Sequence, residues 1–214
     1  VLSRINVDGI ITTNWDLFLE ELFPDYQVYI GQEELLFSNP QSIAEIYKIH
    51  GCSSRPNSLV LTSEDYEAFE AKNPYLAAKL ITLFIEHPII FIGYSISDKN
   101  IQKIIESIVN CLGQDKLDTF GKNLVFVQRP RGEEEASFQE SIMSIGETRL
   151  SITVIKTHDY LDIYEAIEST KRKIPARILR YCKEQMYDLV RDNDPEGKLA
   201  VMDLDQIENK DDVE

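Results

Sequence analysis

Short, almost continuous apolar runs alternate along this chain with stretches whose apolar residues recur at helical spacing. The segments "VDGIIT", "YQVYI", "EIYKIHG", "LVLT", "PIIFIGYS", "NLVFVQ" and "SITVIK" read as extended. Between them, "WDLFLEELF", "SEDYEAFEAK", "PYLAAKLITLFIEH", "DKNIQKIIESIVNCLG", "EEEASFQESIMSIG" and "YLDIYEAIESTKRK" read as helices. Ser63 is the expected N-cap of the second of these, and Pro74 opens the third. Strands apolar on both sides must be covered on both faces, which is the condition of a parallel sheet. Right-handed crossovers then give a doubly wound, Rossmann-like α/β fold.

The length, 214 residues, suits one domain with an appendage. We expect the domain to span residues 1–174. Residues 175–214 then form a C-terminal helix, "ARILRYCKEQMYDLV", and an acidic linker or tail, "MDLDQIENKDDVE". The formal net charge of −15 repels a phosphate backbone, so direct nucleic-acid binding is not expected. No apolar run reaches the ~20 residues of a membrane span, and no signal peptide is visible. The chain has three cysteines, an odd number, with no Cys-x-x-Cys pair. That argues against a zinc module and a disulfide framework, and for a reduced, cytoplasmic protein. No metal-ligand spacing links His50, His87 and His158, and no metal is expected.

In an open parallel sheet, ligands bind beyond the carboxyl ends of the strands. Three strands here end in polar clusters: "TTNWD" at Thr12–Asp16, "KIHG" at Lys48–Gly51 and "GYSISD" at Gly93–Asp98. Each cluster has a plainer reading. Thr12, Thr13, Asn14 and Asp16 are favoured helix caps. His50 by itself suits a structural histidine, and Gly93, Ser95 and Asp98 suit a turn and a cap. The residues alone leave both readings open.

Taken in order, "TTNWD", "YKIHG", "LVLTSEDY", "NPYL" and "IIFIGYSISDKNI" resemble the sirtuin-like domain family of bacterial antiphage defence, over roughly Val7 to Ile105. The resemblance implies cleavage of NAD+ into nicotinamide and an ADP-ribose product, and so depletion of cellular NAD+. It implies that Asn14 and His50 are catalytic. Thr13 and Asp16 belong to the motif around the nicotinamide–ribose pocket, and Gly93 and Ser95 approach the adenosine half of the dinucleotide. Thr62 and Tyr66 match a segment read as structural, and Asp98 as a helix cap. The family also has a first strand and a glycine-rich pyrophosphate loop upstream of "TTN"; neither is found here, and the chain is expected to lack them as a fragment. Without the four-cysteine zinc module of deacylating sirtuins, hydrolysis is favoured over protein deacylation.

These residue types suit the chemistry. The leaving nicotinamide is already activated by its cationic nitrogen, so the site needs no strong acid. An asparagine amide can position the ribose or a water, and a histidine can accept a proton near neutral pH. Such an enzyme must stay off until triggered. The resemblance therefore implies a homo-oligomer, a partner such as a HerA-type ATPase or short Argonaute, or a fused sensor. The alternative is a non-catalytic NAD+ or ADP-ribose binding or assembly module.

Overall fold

A strand reading Glu-Ile-Tyr-Lys has a charge at each end, yet all four of its residues are buried. This is β3 (Glu45–Lys48), the middle strand of a three-stranded parallel sheet in the order β1-β3-β2, with β1 at Gly9–Thr12 and β2 at Gln27–Ile30. The register pairs Gly9 and Gln27 with Glu45, and Thr12 and Ile30 with Lys48. The structure is a computed structural model. It describes residues 1–192, except 6, 39, 131, 133 and 171–173, and except the side chains of 70–72, 177 and 188–192. The acidic tail and the Lys171–Lys173 run of the expected sixth helix lie outside the described residues.

The chain divides into two compact units, Val1–Asn73 with Leu161 onward, and Pro74–Tyr160. In the first unit, side chains alternate across β3 as a pleated strand requires. Ile46 faces a core with Ile5 and Phe23, against which Val7, Ile10, Leu19, Leu22, Val28 and Ile167 pack. Apart from Val7, which precedes β1, those partners come from β1, β2, α1 (Phe18–Leu22) and α6 (Leu161–Glu168). On the opposite face, Glu45 is fully buried and meets Arg180 of α7 (Ala176–Asp192), Nη1 to Oε1, at 2.5 Å. Its carboxylate also accepts from Gln41 N at 2.6 Å, from Ser42 N at 3.1 Å and from the Tyr47 hydroxyl. Burial and the neighbouring Glu45 charge push the Tyr47 phenol above its ordinary range. Burial pulls Arg180 down, but its bonds to Glu45 and Tyr29 outweigh that and hold the guanidinium above its usual value. Arg180 also donates to Ile43 O at 3.1 Å and pairs with Glu184 at 2.7 Å, so α7 is docked on this sheet by a network of buried polar contacts.

After β3 the chain turns through Gly51, whose φ is +90°. A Cβ there would stand 2.2 Å from Ser58 O, so the turn accepts glycine alone. The "LVLT" segment forms no strand; Val60 N instead donates to His50 O at 3.1 Å. The next helix, α2 (Ser63–Lys72), is capped by Thr62 rather than by the expected Ser63. Thr62 Oγ1 accepts from Asp65 N, and Asp65 Oδ2 accepts from Thr62 N at 2.9 Å and Leu61 N at 3.1 Å. This is a capping box, which needs its hydroxyl three residues before the acid; Ser63 stands one residue too late.

The second unit holds α3 (Pro74–Glu86), β4 (Ile89–Ile92), α4 (Lys99–Cys111), α5 (Gln114–Lys122), β5 (Leu124–Gln128), β6 (Ser137–Ile145) and β7 (Thr148–Lys156). Its sheet runs β4-β5-β7-β6, parallel except for β6, and Phe91 and Phe126 stack across it at 4.2 Å. Asp98 caps α4, accepting from Asn100 N and Ile101 N. The expected helix at "EEEASFQESIMSIG" is β6 instead, paired antiparallel with β7 over its full length. Two things favour the strand. Met143 and Ile145 alternate into the core, and Gly146 at φ +54° opens a two-residue hairpin that sets the register. Helix α5 was not anticipated; its Gly121 packs against Ser151 of β7, where a Cβ would come 2.4 Å from the carbonyl oxygen.

Two predictions follow from the first unit. Replacing Arg180 with Met leaves Glu45 charged and buried, and should lower unfolding free energy by about 3 kcal/mol, read as a lower urea midpoint. Asp65 is held below its ordinary value of 3.8 by the Thr62 and Leu61 backbone N–H bonds and the Thr62 side chain. Its stabilisation is therefore present above that value and is lost as pH falls through the depressed native pKa. Acid titration should loosen α2 in the native protein, and Asp65→Asn should remove that part of the pH dependence, both read by amide exchange along the helix.

Candidate active site

Because β1 and β3 are hydrogen-bonded parallel neighbours, their carboxyl ends emerge side by side. Thr12 and Lys48 are the last paired residues, so Asn14 and His50 each follow two positions after the same rung. The two polar loops stay bonded beyond the strands. Ile49 N donates to Thr12 O at 3.0 Å, and Ser53 N donates to Trp15 O at 2.7 Å. Two of the three clusters anticipated from the sequence therefore adjoin, and the reason is strand order.

Within the first loop, Thr12 is buried and its Oγ1 accepts from Asn14 N at 3.0 Å. Asp16 Oδ1 accepts from Phe18 N at 3.0 Å, closing a turn into α1. Asn14 is exposed, Thr13 is half-buried, and Trp15 is 40% exposed. These polar residues serve partly as turn and cap groups, as the plainer reading held, but the Asn14 side chain stands on the surface.

His50 differs from Asn14 in being only 5% exposed. Its ring lies edge-on to Tyr66 and Phe69 of α2, each with centroids 5.2 Å away and planes at 83° and 88°. The "LTSEDY" segment thus supports the site indirectly: Thr62 and Asp65 cap α2, and α2 supplies the aromatic wall behind His50. The glycine turn at Gly51 and the bond from Val60 N to His50 O fix the backbone on the other side.

Beneath the loops lies a charged cluster that sequence reasoning missed. Lys48, its side chain 1% exposed, pairs with Glu20 of α1 at 2.6 Å and donates to Asp16 O. Burial alone would lower the Lys48 ammonium, but bonds to Glu20 and Cys52 hold it above its usual value. Cys52 is fully buried, accepts from Ser54 Oγ at 3.2 Å and donates to Glu20 Oε1 at 3.7 Å. Burial pushes its thiol up, but the Ser54 and Lys48 contacts bring it below its ordinary value. The signal was present: a lysine inside "EIYKIH", in a strand otherwise suited to burial on both faces, needs a partner.

Gly93 and Ser95 stand at the carboxyl end of β4, in the second unit. Gly93 has φ +82°, and Ser95 Oγ accepts from Ser97 N at 3.2 Å and meets Ser97 Oγ at 2.8 Å. Both are exposed.

A protein of Cytobacillus dafuensis named NAD(+) hydrolase ThsA is 25% identical over 200 residues, 87% of this chain and 39% of that protein. The Enterococcus faecium protein of the same name is 23% identical over 188 residues, 81% of this chain and 39% of its own length. Defense-associated sirtuin 2 of Bacillus subtilis is 25% identical over 175 residues, 78% of this chain and 17% of its own. This chain therefore spans well under half the length of these relatives. The family model described as a SIR2-like domain matches residues 8–145, more than half of the 214 residues and including both loops described above. The chain belongs to the SIR2-like domain family.

Proposed function

We propose that this domain hydrolyses NAD+ to nicotinamide and ADP-ribose, with Asn14 and His50 as its catalytic residues. The observation that carries the reading is the pairing of β1 with β3, which sets the loops of those two residues against each other. The names of the relatives, NAD(+) hydrolase and defence-associated sirtuin, support the substrate and a role in antiphage defence.

In this reaction the bond from ribose C1′ to the nicotinamide nitrogen breaks. The electron pair neutralises the cationic ring, so no proton is needed on the leaving group. Water adds to C1′ and loses a proton. The Asn14 amide, exposed beside the β3 turn, can hold a ribose hydroxyl or the water through either its oxygen or its NH2. His50 takes the proton, its ring held in one orientation by Tyr66 and Phe69. Thr13 and Asp16 shape the loop on the nicotinamide–ribose side; Gly93 and Ser95 are assigned to the adenosine half by the family resemblance alone. No metal takes part in this scheme. We place the reaction in the cytoplasm and under the control of an oligomer, a sensing partner such as a HerA-type ATPase or short Argonaute, or a fused sensor, since unchecked NAD+ loss would harm the cell that makes the enzyme.

The low exposure of His50 favours one second reading, a module that holds NAD+ or ADP-ribose without cleaving it. One assay separates them. Incubation of the protein with NAD+ should release nicotinamide, and His50→Ala and Asn14→Ala should each slow release at least about 10²-fold with circular dichroism unchanged. Calorimetric NAD+ binding without nicotinamide release would establish the binding module instead. Undiminished turnover in either variant would remove that residue from the mechanism.

A further inference from the structure

The Lys48–Glu20 pair lies under the loop that carries Asn14, and ordinary stability arguments do not account for it. A buried ion pair loses hydration on both partners, and apolar residues of similar size commonly serve a fold as well. This pair is also incompletely satisfied: Glu20 Oε2 is buried and has no hydrogen-bond partner among the described residues. What the pair provides is a fixed donor. Glu20 holds the Lys48 ammonium from one side, and the ammonium donates to the main-chain oxygen of Asp16 on the other.

That contact completes a series of three. Main-chain bonds from β3 and its turn hold Thr12 O and Trp15 O, through Ile49 N and Ser53 N. Those bonds are available to any side chains. The third, at Asp16 O, is made by a side chain. Asn14 lies between the first and second of these anchored carbonyls, with its own N–H bonded to Thr12 Oγ1. We propose that Lys48 is a positioning residue: its ammonium, seated on Glu20, clamps Asp16 O and thereby holds Asn14 in register with His50. This deepens the hydrolase reading above and rests on it for the kinetic consequence. The clamp itself has a separate readout, because Trp15 is the chain's single tryptophan and lies inside the clamped loop.

The test compares wild type, Lys48→Met, Lys48→Arg and the double variant Lys48→Met with Glu20→Leu. Each is assayed for kcat and KM on NAD+, for Trp15 anisotropy and acrylamide quenching, and for Tm. Lys48→Met should cut kcat about 10²-fold with KM little changed, since a misplaced group loses rate before it loses binding. Trp15 should become more mobile and more readily quenched. Lys48→Arg keeps a cationic donor and should recover part of both. The double variant leaves no unpaired carboxylate, so its Tm should return toward wild type while kcat stays low and Trp15 stays mobile. If Lys48→Met does not fold, the double variant carries the comparison. Wild-type kcat and anisotropy in Lys48→Met, or their return in the double variant together with Tm, would overturn the proposal. Absence of NAD+ cleavage in the wild type would instead overturn the hydrolase reading, and the anisotropy comparison would still decide whether Lys48 holds the loop.

Discussion

Everything described for the first unit is organised by β3, a central strand with one buried charge on each face. Glu45 on one face meets Arg180 of α7, and Lys48 on the other meets Glu20 of α1. Because side chains alternate along a strand, the two pairs recruit helices to opposite sides of one sheet. The same strand pairs with β1, so the Lys48–Glu20 pair at its carboxyl end lies beside the loops of the candidate site, while Glu45 and Arg180 hold the opposite end of the strand. A register slip of one residue would exchange the faces and leave both charges buried without partners, which makes the observed register strongly preferred.

The site itself combines a buried group with an exposed one. His50 is walled by aromatics from α2, and Asn14 stands in a surface loop anchored at several main-chain oxygens. For a reaction with an already activated leaving group, such an arrangement needs little acid–base power and much positional control. The backbone around the two candidate residues is fixed by Gly51 against Ser58, by the capping box at Thr62 and Asp65, and by the Lys48 side-chain contact to Asp16 O.

Much of this was legible in the sequence, and the failures have physical causes. Most of the parallel strands could be read because they are short, almost continuous apolar runs, although only β3 is buried along its whole length. The segment 137–145 suggests a helix because Phe138, Ile142 and Ile145 recur at helical spacing; Phe138 and Ile142 are exposed instead, and pairing with β7 and the Gly146 turn decide for a strand. The cap of α2 was misplaced by one residue because Thr62 and Ser63 are both good caps, and only the position of Asp65 distinguishes them. Helix α5 was missed because "QDKLDTFGK" is short and polar, with Gly121 inside it, and that glycine is needed for its close approach to β7.

The order of motifs along the chain determined the family, the fold class and the candidate residues Asn14 and His50, because each motif is a local pattern of strand, turn and cap. Local patterns do not state which strands are neighbours. Only the tertiary structure decided that β1 lies beside β3, that α2 backs the histidine, and that Lys48 and Glu20, 28 residues apart in sequence, meet beneath the asparagine loop. The reason is that burying a charge is tolerable only where the fold brings its counter-charge, and that condition is written in three dimensions rather than along the chain.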